Sequence, residues 1–124
     1  MIGATFDTGA LIALERHDLG MAIKLRVLHQ AGVPITIPAN AIAEWWRKGH
    51  GQASILALGT VEALSEDLAK TAGEALAKVR GATLVDATVM ASAAARGDRV
   101  FTSDPSDMQK LQRHFRAVAA IVPV

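Results

Sequence analysis

The chain has 124 residues, of which 51% are hydrophobic and 20% are charged, as expected for one globular domain. It contains no cysteine, which excludes disulfide bridges, thiolate nucleophiles and cysteine-ligated zinc. Its formal net charge is only +1, so the overall charge does not by itself indicate a nucleic-acid, membrane or acidic partner.

The sequence shows no pattern typical of a secretory signal or a membrane span. No basic segment precedes an apolar one at the N-terminus. No apolar stretch approaches the roughly 20 residues that a membrane-spanning helix needs. We therefore expect a soluble, cytoplasmic protein that folds as one domain over residues 1–124.

Two apolar runs in the first part of the chain are predicted to be strands, at residues 2–6 and 33–38. The residues between them follow helical spacing, which predicts a short helix over 8–15 and a longer one over 18–31. Apolar positions of the longer helix recur at every fourth residue, which predicts one apolar face. That face consists of Leu19, Ile23, Val27 and Ala31, and Gly32 ends the helix.

The middle of the chain is predicted to contain two more helices and a brief strand. Asn40 is a suitable N-cap for a helix that runs through Trp45 and Trp46 and breaks at the glycines that follow. A short helix over 53–58 and a strand over 60–64 come next.

The last part of the chain continues the alternation. Ser65 and the two acids after it begin a helix that runs to about residue 80, and residues 84–95 form an alanine-rich helix. The remaining segments are a strand over 100–102, a helix over 105–114 and a strand over 117–122. The whole pattern predicts an α/β domain with a mostly parallel central sheet of about five strands and helices on both faces.

Four acidic residues are spaced so that this sheet would bring them together. Asp7 and Asp104 directly follow predicted strands, Glu44 lies one helical turn after another strand, and Asp86 lies in the first turn of the alanine-rich helix. The carboxyl ends of parallel strands share one edge of a sheet, where ligands bind. Carboxylates gathered there repel one another unless a cation joins them, and a hard divalent metal prefers oxygen ligands.

Each acid also has a purely structural explanation. Asp7 and Asp104 are placed to cap the helices that follow them, and Asp86 lies three residues after Thr83, as in a capping box. Taken singly, Glu44 and Asp86 are better explained as ordinary helix residues. Taken together, the four acids favour a shared site, because independent caps need not lie along one edge of the sheet.

The segments around these acids resemble, in order and spacing, the motifs of the PIN-domain family. Residues 2–14 resemble the opening of that domain, and residues 33–38 leading to 43–47 resemble its second acidic segment. Residues 84–93 and 100–108 resemble the third and fourth segments. The resemblance runs from end to end of the chain, and the size matches the small VapC-type toxins of VapBC toxin–antitoxin systems.

The resemblance implies a metal-dependent endoribonuclease that cleaves RNA phosphodiester bonds with Mg²⁺ or Mn²⁺. It also implies a cognate antitoxin protein and a homodimer. The catalytic positions that it assigns are Asp7, Glu44, Asp86 and Asp104. The metal ligands that it assigns are Asp7, Asp86, Asp104 and Asp107, with the hydroxyl of Thr102 or Ser103 orienting a ligand or water.

The chemistry of phosphodiester hydrolysis agrees with an all-carboxylate site. A bound metal lowers the pKa of its water and neutralises charge that develops in the reaction, so no side chain need attack the phosphorus. If four of the 12 acidic side chains joined a metal, 13 basic side chains would face the other 8, a balance of +5 that suits a phosphate-rich substrate. Arg47, Lys48 and Arg96 are candidates for phosphate contacts, although solvated helix ends explain them better.

Alternative functions remain open at this point. A receiver-like phosphoacceptor domain also binds Mg²⁺ at a sheet edge, but it uses an adjacent acidic pair after its first strand, whereas Asp7 is followed by Thr8. A housekeeping PIN nuclease without an antitoxin, or a PIN fold that only binds, would share the same motifs. The scattered histidines match no metal-ligand spacing, and no nucleophile elbow or P-loop is present.

Overall fold

Short apolar runs form the strands of a single sheet, and the amphipathic segments between them form helices. The computed structural model describes residues 1–124. The strands are β1 (Ala4–Phe6), β2 (Ile35–Pro38), β3 (Thr60–Glu62), β4 (Arg99–Thr102) and β5 (Ala120–Pro123). The helices are α1 (Thr8–Glu15), α2 (Leu19–Gln30), α3 (Ala39–Trp45), α4 (Gln52–Leu56), α5 (Glu66–Lys78), α6 (Leu84–Arg96) and α7 (Pro105–Gln112).

The sheet has the strand order β3-β2-β1-β4-β5, and every neighbouring pair is parallel. β1 is therefore the central strand, with Thr5 opposite Thr36 on one side and Val100 on the other. Ala4 and Thr5 point to opposite faces of the sheet, and both are fully buried, so both faces are covered. The predicted α/β fold is confirmed, and the sheet is entirely rather than mostly parallel.

One apolar core of 23 buried residues joins the sheet to the helices. α6 contributes most to it, because every residue from Ala87 to Ala93 is buried. The small side chains of α6 allow it to lie close to the sheet and to α5. In the centre, the rings of Phe6 and Phe101 lie 5.4 Å apart on neighbouring strands. None of the helices is both long and apolar enough to cross a membrane.

The helix boundaries agree closely with the sequence predictions, with one exception in capping. α1 has the predicted bounds, and the Ser65 side chain caps α5 by accepting a hydrogen bond from the Leu68 amide at 3.1 Å. The prediction that Asn40 caps α3 is wrong, because Pro38 occupies the N-cap position. The Asn40 side chain instead donates a hydrogen bond to Thr88 of α6 at 3.0 Å.

The predicted apolar face of α2 is exposed rather than packed against the core. Leu19, Ile23 and Val27 keep 73%, 56% and 58% of their surface exposed. Met21 and Leu28 are the buried residues of this helix. The stripe is therefore available to a partner.

A close approach between α1 and the loop after β4 requires glycine at position 9. A Cβ atom placed on Gly9 would lie 2.6 Å from Cβ of Ser103 and 3.0 Å from its backbone nitrogen. These distances are well below normal van der Waals contact. The start of α1 is therefore held against the loop that leads from β4 to Asp104.

Gly9→Ala should therefore destabilise the protein by about 1–3 kcal/mol, the usual cost of forcing an atom into a packed site. Gly73→Ala is the matched control, because Gly73 also lies in a helix, but a Cβ atom added there would meet no atom within 4 Å. That control should stabilise the protein by about 0.5–1 kcal/mol through helix propensity. Urea unfolding measures both changes, and a stabilising Gly9→Ala would contradict the close packing of α1 against the β4 loop.

Candidate functional site

The five acids predicted from sequence gather at the carboxyl edge of the sheet. Asp7 follows the central strand β1, and its amide donates a hydrogen bond to the Phe101 carbonyl of β4 at 3.1 Å. Asp86 lies among the others, since the charges of Asp107, Asp104 and Glu44 all act on it. Asp86 acts in turn on Asp7. The loops and helix starts that follow the strands thus bring together carboxylates from four separate parts of the chain.

Asp7 is the most buried member of the acid cluster, which we define as Asp7, Glu44, Asp86, Asp104 and Asp107. Only 5% of its surface is exposed, and its carboxylate caps α1 by accepting a hydrogen bond from the Ala10 amide at 2.8 Å. Loss of hydration raises the pKa of Asp7 to about 6, against the opposing effect of hydrogen bonds with Thr102 and the Ala10 amide. The negative charge of Asp86 raises this pKa further.

Asp86 is held in the first turn of α6. Its backbone amide donates to the Thr83 hydroxyl at 3.2 Å, so Thr83 caps the helix and fixes the start of α6. Burial raises the pKa of the Asp86 carboxyl, and the neighbouring acids raise it further.

Asp104 and Asp107 act as a pair at the start of α7. Asp104 occupies the N-cap position but makes no capping bond with its side chain, and its own amide donates to the Thr102 hydroxyl at 2.9 Å. A hydrogen bond with Asp107 raises the pKa of the Asp104 carboxyl. Lys110 lies 3.4 Å from Asp107 and opposes this shift.

Of the two supporting residues, Thr102 and Ser103, Thr102 has the better contacts with the acid cluster. It is fully buried, its hydroxyl accepts a hydrogen bond from the Asp104 amide at 2.9 Å, and its side chain lowers the pKa of Asp7. Ser103 is exposed and fills the space left by Gly9 instead. Of the two hydroxyls predicted to orient a ligand, Thr102 has the contacts for that role.

Glu44 is exposed on α3, and a residue missed in the sequence predictions positions its helix. Asn40, one helical turn before Glu44, donates to Thr88, which lies two residues after Asp86. The Thr88 hydroxyl also donates to the Leu84 carbonyl at 2.8 Å, so it is fixed within α6. This bond ties the helix of Glu44 to the helix of Asp86 across 48 residues of sequence, and no local pattern could have revealed it.

A comparison of two buried aspartates shows what the acid cluster lacks. Asp98 is 3% exposed and accepts hydrogen bonds from Arg96 at 2.9 Å and from Thr5 at 2.8 Å. Asp7 is equally buried, yet no lysine or arginine pairs with it. Within the cluster only Asp107 has an ion pair, and that pair is solvent-exposed. A cation from outside the chain would complete this site.

The donor set fits a hydrated divalent cation. The cluster offers only oxygen donors, which suit Mg²⁺ and Mn²⁺. No three acidic or histidine side chains lie close enough together to hold one ion by direct contact alone. Mg²⁺ usually keeps several of its waters and binds only one or two carboxylates together with substrate phosphates. Carboxylates that are too far apart to form a closed cage of protein ligands therefore suit Mg²⁺.

The basic residues predicted to contact RNA differ in their availability. Arg96 lies about 15 Å along α6 from Asp86. Its guanidinium is engaged by Glu62 at 2.7 Å and by Asp98 at 2.9 Å, so the structure assigns it to the fold rather than to phosphate contacts. Arg47 and Lys48 are exposed after α3 and form no ion pair, and the Arg47 guanidinium donates a hydrogen bond to the Trp46 carbonyl at 2.6 Å.

The adjacent tryptophans have separate structural roles. Trp45 is 4% exposed, and its indole nitrogen donates to Glu15 at 3.1 Å. Trp45 therefore belongs to the core. Trp46 is partly buried and packs against the same core.

Comparison with known proteins supports the fold. No family model matches the sequence, and no curated protein matches it significantly. Among solved structures, a chain from the crystal structure of VapBC2 from Rickettsia felis bound to a DNA fragment from their promoter matches with a TM-score of 0.72. The match covers 97% of this chain and 97% of that chain at 16% sequence identity. The domain therefore has the PIN-like fold that the sequence motifs predicted.

The raised pKa of Asp7 predicts a specific dependence of stability on pH. Folded Asp7 keeps its proton to about pH 6, whereas the ordinary value is 3.8, so the native state binds more protons between these values. Stability should consequently fall as pH rises through this window, by about 3 kcal/mol for a shift of roughly two units. In metal-free buffer, Asp7→Asn should stabilise the protein at pH 7.5 relative to the wild type.

At pH 4 this difference should largely disappear, because wild-type Asp7 is then protonated in the folded protein. Urea unfolding of both proteins at the two pH values measures the effect. Asp67→Asn, on the exposed first turn of α5, controls for the loss of one negative charge. A stability difference between Asp7→Asn and the wild type that does not change with pH would contradict the prediction.

Proposed function

We propose that this protein is a metal-dependent endoribonuclease and the VapC-type toxin of a type II toxin–antitoxin pair, acting on RNA in the cytoplasm. The observation that carries the proposal is the acid cluster without a cationic partner, at the carboxyl edge of a PIN-like sheet. The likeness to a chain of VapBC2 supports the same conclusion through the shared fold.

The residues of the cluster have distinct roles in this proposal. Asp7 and Asp86 are the partly dehydrated carboxylates that would hold Mg²⁺ or Mn²⁺, with Asp104 and Asp107 completing the negative charge around it. A bound divalent metal supplies an activated water and charge neutralisation at the phosphate. Thr102 keeps Asp7 and Asp104 in fixed positions through its hydroxyl.

Glu44 is suited to orient the attacking water. It is exposed, its charge acts on Asp86, and it lies beside a shallow groove that Leu64 and Leu84 also line. A carboxylate in that position can accept a hydrogen bond from water and hold a proton as the phosphodiester bond breaks. Its link to α6 through Asn40 would keep its distance from Asp86 constant.

Two exposed apolar surfaces are available for protein partners. The patch of Leu64 and Leu84 adjoins Glu44, so an antitoxin segment bound there would reach the acid cluster. The exposed stripe of α2 is separate from it and would be buried by a second copy of the chain in a homodimer. Both partners thus follow from surfaces that the fold leaves uncovered.

The strand order argues against the receiver-like alternative. Receiver domains have the order β2-β1-β3-β4-β5, with the crossover between β1 and β3. This sheet has the order β3-β2-β1-β4-β5 instead. The housekeeping nuclease remains a second candidate, since it would share the same fold and the same acids.

Purified protein should cleave RNA with Mg²⁺ or Mn²⁺ and should stop when EDTA is added. Asp7→Asn and Asp86→Asn should each reduce cleavage by more than the ~100-fold typical for residues behind a metal ligand. The Asp67→Asn variant should cleave like the wild type. Gel analysis with mapping of the RNA ends measures this, and undiminished cleavage by pure, folded Asp7→Asn would refute the catalytic assignment.

Expression of the wild-type chain alone should arrest bacterial growth, because an uninhibited ribonuclease degrades essential RNA. Asp7→Asn or Asp86→Asn should restore growth, as should co-expression of the reading frame next to the native gene. Growth curves with immunoblots for soluble protein provide the measurement. Normal growth with soluble, folded wild-type protein would favour the housekeeping nuclease over the toxin.

A further inference from the structure

Several basic side chains, most of them without an ion pair, line a groove that adjoins the acid cluster at Asp107. The groove has a volume of about 650 Å³ and runs between the C-terminal end of α5 and α7. Its basic side chains are Lys78, Arg80, Lys110, Arg113 and His114, and we call it the basic groove. No acidic residue lines it, and only one lining residue is hydrophobic.

The basic groove is connected to the acid cluster at α7. Lys110 lines the groove and lies 3.4 Å from Asp107, whose charge also acts on Asp86. Arg80 lines it from the short connection that leads from α5 to Asp86. A ligand lying in the groove would therefore reach the acids at one end without crossing another part of the surface.

The cations of the basic groove form few contacts that would stabilise the fold. Lys78, Arg80 and Arg113 are exposed and form no ion pair, and the pair that Lys110 forms is exposed on both sides. Arg96 shows the opposite arrangement, with two ion pairs and hydrogen bonds to Thr5 and Ser92. Like charges collected in one groove repel one another, so an anionic ligand would be stabilised there.

We propose that the basic groove binds the phosphate backbone of single-stranded RNA and directs it into the acid cluster. This substrate-binding role rests on the proposed nuclease function. The groove also holds neutral donors, Ser106 and Gln109, of the kind that contact phosphate and sugar oxygens. His114, packed edge-on against Phe115 with ring centroids 4.8 Å apart, offers an exposed ring on which an unpaired base can stack.

An RNA strand fits these features better than an acidic protein segment does. A protein partner would be expected to need apolar anchors, and the groove has a single hydrophobic residue. A nucleic-acid backbone needs repeated cations with neutral donors between them, which this lining provides. The proposed RNA path crosses α7 and the end of α5, away from Arg47 and Lys48 at the end of α3.

The test compares binding of a labelled single-stranded RNA to the full-length protein in EDTA, where cleavage is absent. Arg80→Gln/Arg113→Gln removes two groove cations. Arg26→Gln/Lys70→Gln removes the same charge from exposed positions outside the groove. Fluorescence anisotropy over a range of salt concentrations gives both the Kd and its salt dependence, and thermal melting verifies that each variant is folded.

The groove variant should bind RNA about 25-fold more weakly at 0.1 M salt, because each lost contact with a single strand contributes a slope of ~0.7 in log Kd against log salt. For the groove variant, the slope of log Kd against log salt concentration should accordingly fall by about 1.4. The control variant should bind like the wild type. If the groove variant bound RNA as tightly as the wild type does, the proposal would be overturned. If the groove variant lost affinity only for poly-aspartate, the result would also overturn the proposal and would indicate an acidic protein partner.

Two further measurements separate this proposal from the nuclease function. On RNA, the groove variant should show a higher KM with kcat unchanged. On bis(p-nitrophenyl) phosphate, which is too small to occupy the groove, it should react like the wild type, while Asp7→Asn should not react. Groove-dependent RNA binding by a wild-type protein that cleaves neither substrate would support the groove and refute the nuclease.

Discussion

The whole site depends on a carboxylate that the fold holds out of water without giving it a cation. Asp7 follows the central strand, so pairing on both sides of β1 fixes its backbone, and the Ala10 amide fixes its side chain. Its raised pKa shows that burial disfavours the charged form, and Asp86 adds to the effect. The apo domain therefore carries an electrostatic cost at the carboxyl edge of its sheet, and a divalent cation would remove it.

Opposite charges lie side by side at this edge, yet they are mostly unpaired. The acid cluster and the basic groove meet only at the exposed contact between Lys110 and Asp107. Had the fold paired more of these groups, neither surface could bind strongly, because each would already be neutralised. Left apart, the acids would attract a metal and the bases would attract phosphates. In the proposed function, an RNA strand bound with a divalent cation would satisfy both surfaces at once, as metal-assisted phosphodiester cleavage requires.

Local signals explain what could be predicted from the sequence. Helix periodicity and capping residues such as Ser65 and Thr83 predicted most helix ends, and the parallel topology placed the acids along one edge. Contacts between distant segments could not be predicted in this way. The bond from Asn40 to Thr88 spans 48 residues, and the one from Thr5 to Asp98 spans 93. The basic groove likewise combines the end of α5 with α7, so its charges look scattered in the sequence.

The ion pair between Arg96 and the buried Asp98 shows how an inhibitor could neutralise the acid cluster. The Arg96 guanidinium forms ion pairs with the buried Asp98 and with a second acid, Glu62, at the same time. An antitoxin arginine inserted beside Asp7 would do the same for the acid cluster, because a guanidinium forms paired hydrogen bonds with a carboxylate, whereas a lysine ammonium cannot. Such an arginine would compete directly with the metal for the same oxygens. An antitoxin would then inhibit by providing in trans the ion pair that the chain omits at its own site.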